Sequence, residues 1–184
     1  MKQRTSPRRK EYDYTSPWGY FVTICTKDRE HYFGKIEDDE MVLNELGKHT
    51  RQCRNDISKH HPYVDIHEFI CMPNHIHGIL IIRDHYGKRP IPNDVGTQHF
   101  ASKNQQLSRT NNHSSLPIKC VSQSLWSIIR GFKIGVTKYA REHNIIFTRQ
   151  WRYHDHIIRN EWEYNRIKYY IQTNPLNRAK DTLR

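Results

Sequence analysis

The chain has 184 residues, and 30 Lys and Arg against 19 Asp and Glu leave a formal charge of +11. That length suits one domain, and 35% hydrophobic residues are enough for a single core. No apolar run reaches the roughly 18 residues of a membrane span, and no apolar segment follows the basic start, so neither a membrane protein nor a secretory signal is expected. The composition also excludes an acidic disordered chain and points to a polyanionic partner, since a basic surface steers and holds phosphate backbones. Cys25, Cys53, Cys71 and Cys120 are too widely spaced for a zinc knuckle and read as reduced packing thiols of a cytoplasmic protein.

In chain order, residues 1–17 read as a basic arm that includes Arg8 and Arg9. Gly19 to Thr26 is rich in β-branched and aromatic residues and reads as a strand, with His31 to Ile36 returning as a short partner. From Asn44 to about Lys59, Leu46, Thr50, Cys53 and Ile57 recur at helical spacing, with Asn44 as N-cap. Tyr63 to Met72 and His75 to Arg83 are two apolar runs broken by Pro73-Asn74. They read as an antiparallel pair whose second member is central and covered on both faces.

Residues 84–119 are polar, without periodicity, and read as a flexible insertion. A helix then opens at Ser122 or Ser124 and runs to about His143. Its apolar side is Leu125, Ile128, Ile129, Phe132 and Val136, and its other side carries Arg130, Lys133, Lys138 and Arg141. A strand is expected within Ile145 to Ile158. Asn160 opens the last helix with Glu163 as capping-box partner, and Asn174-Pro175 closes it. The whole is an α+β sandwich on an antiparallel sheet, close to the ferredoxin-like arrangement, in a single domain over 18–184.

Three places carry candidate chemistry. In Pro73-Asn74-His75-Ile76-His77-Gly78, a strand puts His75 and His77 on one face, where two imidazoles can ligate one divalent metal. Two polar rings have no packing reason to open an apolar strand, although ordinary polar-face histidines remain the alternative. His154-Asp155-His156 repeats the spacing among basic residues and reads as structural or phosphate-contacting. In the last helix, Tyr170 shares a face with Asn174 one turn on, whereas Tyr164 and Tyr169 have no comparable ligand; the alternative is that all three are core and rim aromatics.

Taken together, the His-hydrophobic-His strand, the Tyr-x-x-x-Asn helix and the basic α+β domain resemble the HUH single-tyrosine transposases of insertion sequences. The likeness is greatest to their REP-associated tyrosine transposase branch. It runs through the ordered blocks YFVTICTKDREHYFGKI, MVLNELGK, MPNHIHGI, SLWSIIRGFKIGVTK, WRYHDHIIRNE and RIKYYIQTNP. The resemblance implies His75, His77 and Asn174 as ligands of a Mg²⁺ or Mn²⁺ ion and Tyr170 as nucleophile. It implies a 5′-phosphotyrosine and strand transfer on single-stranded, hairpin-forming DNA, by a monomer or homodimer in the prokaryotic nucleoid. HDHIIRN matches a block distinct from the metal motif, which favours the structural reading of His154 and His156; the 84–119 insertion departs from the family pattern.

Arg8, Arg9, Arg130, Lys133, Lys138, Arg141 and Arg152 would track phosphates, and Trp151 or Trp126 would stack on unpaired bases or else pack in the core. The competing classes are a non-catalytic nucleic-acid-binding protein, which needs neither Tyr170 nor metal, and a relaxase or replication-initiator nickase, which generally adds a histidine or a second catalytic tyrosine.

Overall fold

The computed structural model describes residues 18–83, 124–148 and 152–176, so the basic arm and the 84–119 segment lie outside the described residues. The β-branched and aromatic run Gly19–Cys25 forms β1. The strands β2 (Gly34–Glu37) and β3 (Glu40–Leu43) follow, then helix α1 (Glu45–His60), β4 (Val64–Cys71) and β5 (His75–Ile82). Helix α2 (Leu125–Glu142), β6 (His154–Ile158) and α3 (Glu161–Gln172) complete the chain.

The main sheet has the order β4-β5-β1-β6, with every neighbouring pair antiparallel. Without the β2-β3 hairpin this is strand, helix, two strands, helix, strand, in the ferredoxin-like order. The expected return of His31 to Ile36 onto the first strand does not occur. β1 is already hydrogen-bonded on both edges, so residues from Gly34 pair instead with Glu40–Leu43 across Asp38 and Asp39, both at positive φ. Those two left-handed residues match the twist of a two-residue hairpin. Asp-Asp is a weaker turn signal than Asn-Gly, so the local pattern does not announce β3.

Strand alternation divides the core in two. On one face Tyr20, Val22 and Ile24 of β1 join Ile76, Leu80 and Ile82 of β5 beneath α1 and α2. Ile79, Ile81 and Ile158 face the other way and take Ile167 and Ile171 of α3. All eight residues of β5 are buried, as a central strand covered on both faces requires. Helix α1 starts where Asn44 Oδ1 accepts the Gly47 N–H at 2.9 Å, and α2 starts at Ser124. The described cysteines, Cys25, Cys53 and Cys71, are buried free thiols, and burial pushes that of Cys53 up to about 11. No helix among the described residues is long and apolar enough to cross a membrane.

One close approach sets where α1 sits. A Cβ on Gly47 would run into the carbonyl of Phe33 and the side chain of Leu43, whereas one on Gly131 of α2 would meet nothing within 4 Å. Gly131→Ala is therefore expected to stabilise the protein by about 0.5–1 kcal/mol, the ordinary helix-interior gain over glycine. Gly47→Ala has the same propensity gain but should be destabilising by about 1–3 kcal/mol through overpacking. Urea midpoints at unchanged slope check both.

Candidate active site

The hairpin joining β4 to β5 turns on Pro73 and Asn74, with the Met72 N–H donating to the His75 carbonyl at 2.8 Å. Thr26 fixes the corner from the end of β1, since its N–H and its hydroxyl both donate to the Asn74 carbonyl at 2.9 Å. His75 thus becomes the first residue of a buried strand, and His77 follows on the same face. Their ring centroids are 4.6 Å apart, and both side chains are buried.

Each imidazole is held through Nδ1. The Asn74 Oδ1, which can only accept, lies 2.7 Å from His75 Nδ1, so that nitrogen carries the proton and the buried Nε2 is the unprotonated one. His77 Nδ1 is 2.9 Å from the Thr23 hydroxyl, the residue directly opposite it on β1. Its Nε2 lies 3.3 Å from the Tyr170 hydroxyl, which donates to it when Thr23 accepts from Nδ1. Phe21 packs beside both rings, 5.2 Å from His77 and edge-on to Tyr170 at 6.3 Å. Burial, helped by the neighbouring His75, lowers the His77 pKa to about 3, so the ring is neutral at physiological pH. A neutral imidazole is the form that ligates metal.

Asn174 lies just past the end of α3, not on the helix as the spacing suggested. Helix α3 ends at Gln172 with Thr173 as C-cap, and the Asn174 N–H bonds to the Ile171 carbonyl at 3.3 Å within a turn. Asn174 is therefore not on Tyr170's helical face; Pro175 pushes the preceding residue out of helical geometry. Its side chain is only 1% exposed, and its Oδ1 accepts no hydrogen bond among the described residues. Such an orphaned buried oxygen is costly unless something else engages it, and an amide oxygen, like an imidazole nitrogen, is a donor that a divalent cation accepts. Among the described residues no group of three or more His, Cys, Asp or Glu side chains could hold a metal ion.

The other tyrosines of α3 are placed apart from the histidine pair. Tyr164 bonds through its hydroxyl to His67 Nδ1 at 2.7 Å, and Tyr169 is 68% exposed. His156 pairs with Glu163 at 2.7 Å, while His154 stands exposed across from Thr23. The capping box at Asn160 is half formed: Asn160 Oδ1 accepts the Glu163 N–H at 2.8 Å, but the Glu163 carboxylate takes the Arg159 N–H at 2.7 Å and His156 instead.

Of the basic residues expected to track phosphates, one is buried. Lys133 is only 4% exposed and donates to the Arg152 carbonyl at 3.0 Å over the Tyr153 ring, so it stabilises the loop before β6 and is not available to a phosphate. Arg130, stacked on Trp126 at 5.1 Å, Lys138, paired with Glu142 at 3.7 Å, and Arg141 are exposed on α2. That helix covers the sheet face opposite the histidine pair. Arg152 is exposed; Arg8, Arg9 and Trp151 lie outside the described residues. Sequence reasoning missed Thr23 and Asn74. Asn74 was detectable as an amide beside the His-x-His run, whereas Thr23 emerges only from strand register.

A protein of Haemophilus influenzae, described only as uncharacterized, is 43% identical over 185 residues, spanning 100% of this chain and 94% of that one. The chain belongs to that protein's family. No protein-family model matches it. Among solved structures, a REP-associated tyrosine transposase bound to a REP hairpin superposes with a TM-score of 0.55 at 17% identity, over 93% of this chain and 73% of that one. The two chains thus share a fold, an antiparallel sheet with three helices packed on it.

The depressed His77 pKa gives the fold a defined acid response. The unfolded chain takes up this proton near pH 6.5 and the folded one only near 3, so the unfolded state binds more protons between those values. The stability associated with His77 is complete above pH 6.5 and is lost as pH falls below it, by about 1 kcal/mol per pH unit. Urea unfolding free energies at pH 7, 6 and 5 should decline less steeply in His77→Gln than in the wild type.

Proposed function

We propose that the protein is a metal-dependent endonuclease and strand transferase for single-stranded, hairpin-forming DNA, a transposase of the REP-associated tyrosine type. The observation that carries this reading is the approach of the Tyr170 hydroxyl to 3.3 Å from His77 Nε2, beside a second buried imidazole. The shared fold with a hairpin-bound transposase and the charge of +11 support it.

His75 and His77 through Nε2, with Asn174 through Oδ1, would hold one Mg²⁺ or Mn²⁺ ion. Such an ion, when bound, neutralises charge on the scissile phosphate and aligns it. The protein's own residues supply the rest. Asn74 and Thr23 fix the tautomer and orientation of the two rings, as partners behind metal-binding histidines do. Phe21 and the isoleucines beneath α3 keep the floor of the site apolar. Tyr170, 38% exposed at the edge of α3, can meet a phosphate from solvent while its hydroxyl stays registered against the sheet.

In the reaction Tyr170 Oη bonds to phosphorus as the bond from phosphorus to the 3′ oxygen breaks. The tyrosine gives up its proton, and the departing 3′ oxygen gains one to become a hydroxyl. The phosphotyrosine conserves the bond, so a 3′-hydroxyl can reverse the step and join the strands.

A labelled hairpin oligonucleotide with Mn²⁺ should give a covalent protein–DNA adduct on a denaturing gel. Tyr170→Phe is expected to abolish it while costing only about 1 kcal/mol or less in stability and binding, the worth of one hydroxyl. Tyr164→Phe and Tyr169→Phe should retain it; His75→Ala and excess chelator should remove it. An adduct formed by Tyr170→Phe, or in chelator, would refute the assignment.

A further inference from the structure

The outer side of α3 holds a feature that the cleavage chemistry does not use. Trp162 is 71% exposed and Tyr169 is 68% exposed, and Arg166 lies between them with its guanidinium 5.3 Å from the Trp162 ring centroid. At 100° per residue, positions 162, 166 and 169 form one stripe along the helix, and Ile167 and Ile171 point the opposite way into the core. Large aromatics so far from the core are not explained by packing. The stripe ends at Tyr169, the neighbour in sequence of the residue whose hydroxyl touches His77.

We infer that this stripe is a stacking platform for the unpaired bases that flank the scissile phosphate. The inference rests on the DNA-processing reading above and names the surface that would hold the strand. Flat aromatic faces accept any base, and a guanidinium stacked beside one adds charge where the backbone passes. The chain as a whole is strongly cationic, which favours a polyanion over another basic copy of itself. Trp162 and Tyr169 are seven residues apart, roughly 10 Å along a helix at 1.5 Å per residue, a span suited to about two extended nucleotides. A base on Tyr169 would set the adjoining phosphate beside Tyr170, and a base on Trp162 would hold the strand further along. The basic side of α2 lies across the sheet, so the strand at the active face needs contacts of its own, and this stripe supplies them.

The test is anisotropy of a short fluorescent single strand of mixed sequence, and of an abasic strand of equal length, at fixed salt and without divalent metal. Trp162→Ala and Tyr169→Ala should each raise Kd for the base-bearing strand about tenfold, within the range of one lost base–aromatic stack, and change the abasic strand by less than twofold. Trp162→Phe should recover most of the loss. Arg166→Ala should weaken both strands and flatten the salt dependence. Unchanged affinity in both alanine variants would overturn the inference, as would equal binding of the two strands by the wild type. So would a dimer, seen by light scattering, that Trp162→Ala breaks without loss of DNA affinity, because the stripe would then be a contact between copies. In those cases a surviving wild-type adduct leaves the transposase reading standing; a wild type with no affinity for any single strand removes both.

Discussion

One imidazole ties together the parts of this molecule that matter for its chemistry. His77 sits in the middle of the sheet with its backbone paired on both sides, its Nδ1 at the hydroxyl of Thr23 and its Nε2 at the hydroxyl of Tyr170. Burial keeps that ring neutral, because a charge there would lose its hydration without a carboxylate to offset it. A neutral ring with one nitrogen occupied has one lone pair to present, and the strand aims it at α3. The alternation of β5 then places His75 beside it, already protonated at Nδ1 by the demand of Asn74.

Helix α3 must be held firmly for this to work, and its register is set by polar contacts as well as by Ile167 and Ile171. His156 of β6 pairs with Glu163 in the first turn, and the Glu163 carboxylate also takes the Arg159 N–H. On the other side the pairing of β4 with β5 shifts between Ile66 and Phe69, a bulge that lets two consecutive residues contact the helix. His67 reaches Tyr164 and Glu68 reaches Lys168 at 3.3 Å, while Arg54 of α1 donates to the bulge carbonyls of Ile66 and His67. The sheet therefore grips α3 from both of its flanking strands, and Tyr170 inherits its position from that grip. Contacts with partly exposed charged groups are individually weak, but they act here as a directional set around a small apolar patch.

Much of this was legible in the sequence, for reasons that can be named. Period-two alternation puts His75 and His77 on one face whatever the fold, and the caps at Asn44 and Asn160 follow from simple N-cap chemistry. The tyrosine singled out by spacing is the one that touches His77, although the shared helical face offered as the reason fails, because the helix ends two residues before Asn174. Lys133 was misplaced because it stands just outside the apolar stripe of α2, where a long stem folds inward once a carbonyl and an aromatic ring are within reach. Thr23, the bulge at His67 and the β2-β3 hairpin depend on register between strands distant in sequence, which no local pattern carries.

The central claim is that two buried imidazoles and an orphaned amide oxygen form one metal site beside Tyr170. It is tested most directly by anomalous diffraction at the manganese edge from crystals of the protein grown with Mn²⁺. The account predicts a single strong peak within bonding distance of His75 Nε2, His77 Nε2 and Asn174 Oδ1, and its disappearance in His77→Ala. A peak bound elsewhere, or none at a Mn²⁺ concentration that supports adduct formation, would contradict it.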